Sequence, residues 1–399
     1  MSAEPDSELR QTAQHGGRLP RAASGARVRP RHRAWAPRHR QARRPRLAPQ
    51  PPSVSALLLA LFASAGLIIG TAATGSTEGL AAAAAAPAPR PSAIAPAAAP
   101  APAAPAGRTH DFADPEAYAR LAAQLRLSLD RADARRSVPR SFRPSVRTLR
   151  RSLWDGSLEC GATTAEHRHD VCVFGDPQGK RTVVALGSSH MTMWMSGLAR
   201  EAARRDTRLV GLIKFGCTPY ELRTTREGRE WRQCARFREW AVKQVEAIEP
   251  DRVIVGSHSD FTVLADDSRL LGGVERIDAV ADGAAALASR LREHAGGVVV
   301  LGDTMPRSRE PGACLRRTAR SFHRCEAPYD RDHVAEVAST ERAVRAVGAD
   351  FFDTSLLTCL ERRCPVAAAG RYIYRDSTHV SRLWSRRAAA LLADEVGIR

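Results

Sequence analysis

No cysteine occurs before residue 160 and no Cys-x-x-Cys pair occurs anywhere, so the chain lacks the ligand spacing of a small zinc site. Aromatic residues make up only 5% of the chain, and the first 52 residues carry one, Trp35. That opening stretch holds 12 arginines against 3 acidic residues, with several prolines and almost no aliphatic runs. It offers too little apolar surface to offset the entropy of ordering it, and we read residues 1–52 as a disordered basic tail. The tail supplies about half of the formal net charge of +18, so the basic pI says little about the folded part. With no repeated pattern of aromatics interleaved among its arginines and no recognised module, it makes no case for nucleic acid as a partner. No internal repeat is present.

Charge is what residues 53–74 lack. This apolar run, Ser53 to Thr74, has the length of a helix that crosses a bilayer. The arginines crowd its N-terminal side, which predicts a cytoplasmic tail, a single-pass transmembrane signal-anchor and an exported remainder. A cleaved secretory signal is the competing reading, because small residues follow the run. Residues 75–107 are rich in Ala and Pro, an extended spacer rather than a packed element. All eight cysteines (Cys160, Cys172, Cys217, Cys234, Cys314, Cys325, Cys359 and Cys364) lie beyond it. An even number confined to the exported part points to disulfides in an oxidising compartment. About 105 connectivities are open to eight cysteines, four local pairs being the most economical.

From residue 108 to 399 the pattern is that of one folded domain. Asp114 to Ala134 has helical periodicity, and Arg143 to Leu153 is a second, short helical candidate. Strands are then expected at 182–187, 208–215, 252–256, 297–302 and 350–353. Helices are expected between and after them, at 191–204, 231–248, 277–294, 331–347 and 380–395. This alternation predicts a parallel sheet covered on both faces, a three-layer α/β/α sandwich.

The stretch Val183-Val184-Ala185-Leu186-Gly187-Ser188-Ser189-His190 carries the first chemical signal. An apolar strand, a glycine break and a helix start place Ser188 or Ser189 at the carboxyl edge of the sheet, where helix N-termini present unpaired N–H groups. A nucleophilic serine needs a base, and the base needs an orienting group. Asp376-Ser377-Thr378-His379, between the last strand and the last helix, returns to the same edge. Its carboxylate and imidazole, three residues apart, can act as the acid and base of a triad. Competing structural readings exist: a serine that only caps its helix, Asp376 or Ser377 capping the last helix with His379 an ordinary surface residue, His190 as a structural residue, and His258, His323 and His333 as plain polar residues.

Leu186-Gly187-Ser188-Ser189-His190 resembles the first block of the SGNH hydrolases, and Asp376-Ser377-Thr378-His379 their Asp-x-x-His block. More of the chain is similar to the SGNH domain often fused behind acyltransferase-3 membrane proteins. The similar pieces are Cys160…Cys172-Val-Phe-Gly-Asp, Cys217-Thr-Pro, Leu301-Gly-Asp-Thr-Met-Pro, Cys359…Cys364-Pro-Val and Tyr374-Arg-Asp-Ser-Thr-His-Val-Ser. The resemblance covers roughly Arg136 to the C-terminus. It implies Ser189 as nucleophile, His379 as base, Asp376 as orienting acid, and the N–H groups of Ser189 and Gly216 in the oxyanion hole. It also implies no metal and no organic cofactor. Two positions depart from the family pattern. Ser188 stands where the family has Asp, and no Asn is evident after the third strand, where Val255-Gly256-Ser257-His258-Ser259-Asp260 lies.

The function expected on these grounds is a serine-dependent O-acyl esterase or O-acyltransferase acting on cell-surface glycan or other acylated carbohydrate. The fused relatives carry a multi-span acyltransferase in the same chain, and this chain offers one span. Transfer would therefore call for a separate multi-span acyltransferase, whereas hydrolysis would call for no partner. The alternative from another class is a non-catalytic glycan-binding or scaffolding module with a degenerate site.

Overall fold

A computed structural model describes residues 110–154, 158–259 and 261–399. The expected tail (1–52), span (53–74) and linker (75–107) lie outside the described residues. Among those described, no helix is long and apolar enough to cross a membrane.

The first helix, α1 (Pro115–Asp133), starts where its sequence says it should. Asp114 accepts a hydrogen bond from Ala117 N at 2.8 Å and proline occupies the first turn. The central sheet has six strands: β1 (Cys172–Gly175), β2 (Arg181–Gly187), β3 (Thr207–Ile213), β4 (Arg252–Gly256), β5 (Val298–Gly302) and β6 (Asp350–Asp353), in the order β1-β3-β2-β4-β5-β6. Five strands run parallel; β1 pairs antiparallel with β3 at the edge. The sheet is therefore mostly rather than wholly parallel. Segment 143–153 departs from expectation too, since only Leu149–Arg151 forms a helical turn, of 3-10 type.

Six longer helices follow the strands or cover them: α2 (Ser189–Arg204), α3 (Arg232–Ile248), α4 (Gly273–Arg292), the short α5 (Pro311–Arg317), α6 (Arg331–Ala346) and α7 (Arg382–Glu395). Successive side chains of a strand point to opposite faces. Accordingly Val183 and Ala185 pack with α1, α2 and α7 on one face, while Val184 and Leu186 pack with α3, α4 and α6 on the other. Residues 313–325 and the 366–372 segment close a third, smaller core with Val146 and Leu149. The eight cysteines form four disulfides between sequence neighbours: Cys160–Cys172, Cys217–Cys234, Cys314–Cys325 and Cys359–Cys364.

One close approach sets the geometry of the working edge. A Cβ on Gly197 would lie 2.5 Å from the Ser385 carbonyl oxygen, so α2 and α7 touch backbone to backbone there. Gly197 N donates to Ser385 Oγ at 3.2 Å, and that hydroxyl donates to Trp194 O at 3.1 Å. The helix that starts at Ser189 and the helix that follows His379 are thereby locked side by side.

Candidate active site

At the end of β2 the backbone is crowded. Gly187 is in register with Gly256 of β4, and a Cβ on it would come within 1.9 Å of the Gly256 oxygen. Only glycine lets the chain turn there into α2. Ser188, fully buried, caps the helix, accepting from His190 N at 3.2 Å, while its own N–H donates to Gly256 O at 3.1 Å. Ser188 is thus the capping serine, and Ser189, one residue later, is the serine whose side chain meets the histidine. The N–H of Ser189 belongs to the first turn, where a helix has no internal acceptor to offer.

His379 Nε2 lies 2.9 Å from Ser189 Oγ, with no atom of the intervening chain between them. Its Nδ1 lies 2.9 and 3.1 Å from the two oxygens of Asp376. The tautomer that satisfies both contacts has Nδ1–H donating to the carboxylate and Nε2 accepting from the serine hydroxyl. Asp376 is itself held in place: Oδ1 also accepts from His379 N at 2.8 Å and Thr378 N at 3.0 Å, and Oδ2 pairs with Arg375 Nη1 at 2.8 Å. Asp376 thus ties its own loop, while the cap of α7 is Ser381, whose hydroxyl accepts from Trp384 N at 3.2 Å. Burial works to raise the carboxyl pKa of Asp376. The His379 hydrogen bond and charge, the Arg375 guanidinium and the Thr378 amide outweigh it and hold the group well below the usual carboxylate range. Burial pushes His379 down, the bond to Asp376 pulls it up and neighbouring His190 pushes it down again, leaving it below its ordinary value and neutral at pH 7.

Gly216 lies just past β3 on the same carboxyl edge, with φ +73°, a conformation glycine adopts freely. Lys214 N donates to Gly187 O at 3.0 Å, which ties the end of β3 to the turn before the serines. The Cys217–Cys234 bridge then anchors the following loop to α3. No acceptor for the Gly216 N–H is found among the described residues.

Residues 159–394 match the family described as the SGNH domain fused to AT3 domains. The chain belongs to that SGNH family. Its class is accordingly that of SGNH-type acyl ester hydrolases and acyltransferases. None of the curated proteins matches the chain. Among solved structures, the periplasmic domain of the lipopolysaccharide acetyltransferase of Salmonella ser. Paratyphi A aligns at 12% identity. The alignment covers 55% of this chain and 83% of that one, with a TM-score of 0.43. The acetyl-xylooligosaccharide esterase Axe2 of Geobacillus stearothermophilus aligns at 13% identity over 55% and 95% of the two chains, with a TM-score of 0.33. An α/β hydrolase from the metagenome of Lake Arreo, LAE5, aligns at 12% identity over 55% and 96%, with a TM-score of 0.31.

A second polar layer lies behind the triad-like group of this SGNH domain; two of its members, His190 and Asp303, lie in motifs the sequence offered, but no role was read for Asp303 and none for Ser259. Asp303, just past β5, accepts from His190 Nδ1 at 2.6 Å through Oδ1. Its Oδ2 accepts from Ser259 N at 3.0 Å and Ser259 Oγ at 3.1 Å. His333 of α6 completes the layer, with Nδ1 3.3 Å from Ser259 Oγ and Nε2 3.1 Å from the Asp303 carbonyl. Burial tends to raise the Asp303 carboxyl, but the charge and hydrogen bond of His190, aided by His333, hold it low. The His190 ring sits 4.6 Å from that of His379 on one side and 5.6 Å from that of His258 on the other. His190 and His333 are therefore partners in a buried network.

The chain contains no asparagine at all, so none can stand after the third parallel strand. Ser257 Oγ is engaged with Thr218 Oγ1 at 2.9 Å and with the His258 carbonyl at 3.0 Å. The neighbouring His258 has a buried Nδ1 with no partner among the described residues, and burial pushes its pKa to about 3. An orphaned lone pair is less costly than an orphaned N–H, which favours the tautomer with its proton on Nε2. Among the described residues no group of three or more His, Cys, Asp or Glu side chains is placed to hold a metal ion.

Proposed function

We propose that this SGNH domain is a serine-dependent O-acyl esterase or O-acyltransferase on cell-envelope carbohydrate, working through an acyl-enzyme on Ser189. The observation that carries the reading is the 2.9 Å contact between His379 Nε2 and Ser189 Oγ, with Asp376 on the far nitrogen. His379 takes the Ser189 proton as Oγ attacks the ester carbonyl carbon. The charge that develops on the carbonyl oxygen is met by the N–H groups of Ser189 and Gly216, with His258 Nε2–H as a third, neutral donor. Each such donor is worth about 10²–10³ in rate. Collapse of the tetrahedral intermediate expels the alcohol, which takes the proton from His379. A water molecule or a sugar hydroxyl then gives its proton to His379 and attacks the acyl carbon, and collapse of this second intermediate expels Oγ, which takes the proton back from His379. The first acceptor makes an esterase, the second a transferase. Asp376 holds the imidazole in the tautomer both half-reactions need.

The carbohydrate assignment is supported by the family, whose members are fused to AT3 domains, and accords with a lipopolysaccharide acetyltransferase and a xylooligosaccharide esterase among the similar structures. In this reading residues 1–52 stay cytoplasmic, residues 53–74 anchor the chain, and the domain from 108 onward works outside the membrane, where disulfides persist. Transfer would draw on a separate multi-span acyltransferase. The test is hydrolysis of p-nitrophenyl acetate by the oxidised full chain, by Ser189→Ala and by His379→Ala. Turnover lost in both variants, with unchanged circular dichroism, is the expected result. Turnover that survives Ser189→Ala refutes the nucleophile, and no turnover by the parent chain favours a glycan-binding module.

A further inference from the structure

A cleft of about 730 Å3 lies against the outer face of α3, walled by residues 167–168 and 221–223. Its charge is lopsided. Arg168, Arg223, Arg236, Arg238 and Lys243 line it against two carboxylates, Glu221 and Glu239. Both carboxylates are already taken by Arg290, at 2.5 and 3.2 Å, and Arg223 is paired with Glu230 at 3.0 Å. Arg168, Arg236 and Lys243 make no salt bridge or side-chain hydrogen bond among the described residues, Lys243 being attracted to Glu239 only at longer range.

Arg238 is the more telling group. It is only 8% exposed, and its guanidinium donates to the Leu222 carbonyl and approaches Cys234 Sγ at 3.7 Å; it makes no direct salt bridge among the described residues, and Glu221 and Glu239, both bridged to Arg290, attract it only at longer range. Buried charges are normally paired, because leaving water without a counter-charge is expensive. Burial pulls its pKa down to about 10, which still leaves it charged at neutral pH. A buried cation with no direct salt bridge, flanked by three others that also lack one, suits an anionic group, and guanidinium binds carboxylate and phosphate through paired N–H donors. Between them Trp240 offers a half-buried indole, a flat apolar face on which the C–H face of a sugar ring can pack.

The cleft is joined to the catalytic edge. His169 Nε2 accepts from Ile213 N at 3.0 Å, binding the 167–168 wall to the end of β3. The other wall continues from Gly216 through the Cys217–Cys234 bridge, and Thr218 on that loop bonds Ser257 beside the site. From Ala235 to Lys243 the α3 wall runs about 12 Å, room for two or three sugar residues. We propose that this cleft binds an anionic glycan strand bearing carboxylate or phosphate groups, and that such a strand is the carbohydrate presented to Ser189. The second half rests on the function proposed above; the first does not.

The test measures binding and turnover separately, with the oxidised full chain. Titration by tryptophan fluorescence uses hexagalacturonate, neutral maltohexaose and inorganic tripolyphosphate, at low and high salt. Hexagalacturonate is expected to bind at least tenfold more tightly than either of the others and to weaken as salt rises. The pair Arg236→Glu and Lys243→Glu is expected to weaken it at least tenfold more, and Trp240→Ala to weaken the glycan but not tripolyphosphate. Equal binding of hexagalacturonate and maltohexaose, or indifference to the charge reversals, overturns the cleft. Tripolyphosphate binding as tightly as the glycan reduces it to a plain anion site and overturns the saccharide assignment. For turnover, the ratio of kcat/KM on acetylated oligogalacturonate to that on p-nitrophenyl acetate is expected to fall at least tenfold in the charge-reversal pair. An unchanged ratio overturns the link to Ser189. Binding that persists in a chain unable to hydrolyse p-nitrophenyl acetate refutes the proposed activity and leaves the cleft standing.

Discussion

Replacing Asp376 with Asn tests the base and its orienting acid together. Asp376 Oδ1 accepts from two backbone N–H groups, at 2.8 and 3.0 Å, and Asn would keep its amide oxygen on them. The new NH2 then takes the place of Oδ2, facing Arg375 Nη1 at 2.8 Å and His379 Nδ1 at 3.1 Å. The amide N–H at the former Oδ2 position then competes with the oxygen that remains 2.9 Å from Nδ1, so the tautomer that accepts at Nδ1 and carries its proton on Nε2 gains population, and the imidazolium loses its carboxylate. In that tautomer it cannot take the Ser189 proton. An equivalent exchange in a serine triad lowers kcat by about 10⁴, and a drop of about 10³–10⁴ is expected here, or roughly 4–5.5 kcal/mol of transition-state stabilisation. The pH profile should move as well. His379 must be neutral to act, and its pKa lies below the ordinary imidazole value, so the acid limb of the parent chain should fall below about pH 6.5. Asp376 is what raises that pKa, so its loss should shift the remaining limb further toward acid. The assay is steady-state hydrolysis of p-nitrophenyl acetate from pH 4.5 to 9, with a thermal melt as folding control. Activity of Asp376→Asn within tenfold of the parent, or an acid limb that moves toward higher pH, would refute the orienting role.

The other expectations concern the support around that group. His258→Ala should lower kcat about 10²–10³ with little change in KM, whereas an equal rise in KM alone would remove it from the oxyanion hole. Ser188→Ala should cost about 1 kcal/mol in urea unfolding through loss of the cap on His190 N, and a loss below a few tenths would show the cap to be idle. Gly187→Ala should destabilise by about 3 kcal/mol or prevent folding, because its methyl meets the Gly256 oxygen; Gly272→Ala, with open space around it, is the control. Removing the Cys217–Cys234 bridge by Ala at both positions should lower stability by about 3 kcal/mol on the loop-closure estimate for a separation of 17 residues. An unchanged urea midpoint would show that the loop carrying Gly216 is held by packing alone.

What the sequence made legible, and what it hid, follows from how far apart the determinants lie. Residues 182–187 and 252–256 read as strands because both of their faces are buried, which leaves an unbroken apolar run. The edge strand Cys172–Gly175 is four residues long and mostly half-exposed, so it has no such run to read, and it is also the antiparallel one. Segment 143–153 has apolar residues at helical spacing, but Val146 and Leu149 are buried as parts of an irregular stretch in the third core. Helix α4 begins at Gly273, earlier than the expected 277, and Gly272 before it supplies no side-chain cap that could mark the start. Ser189 and the Asp376–His379 pair stood out because each lies within a local pattern of strand end, turn and helix start. Asp303, His190, Ser259 and His333 come from four separate elements, and only the folded register of β2, β4 and β5 brings them together.

Ser188 is the position that most suggests a degenerate site. At this turn the residue has two tasks, to cap α2 and to close the turn onto β4, and serine and aspartate are comparable caps. Ser188 does both, through its hydroxyl to His190 N and its N–H to Gly256 O, and it is fully buried, where a carboxylate would need a further partner. A binding module with no chemistry to perform would have no reason to keep Asp376 half-buried against Arg375 and two backbone amides, or to keep His379 neutral against a serine hydroxyl. Those groups are costly to bury and add little to a scaffold that only packs. Their presence beside a Ser188 that still caps the helix and closes the turn is what the chemistry proposed at Ser189 would require, and a binding module would not.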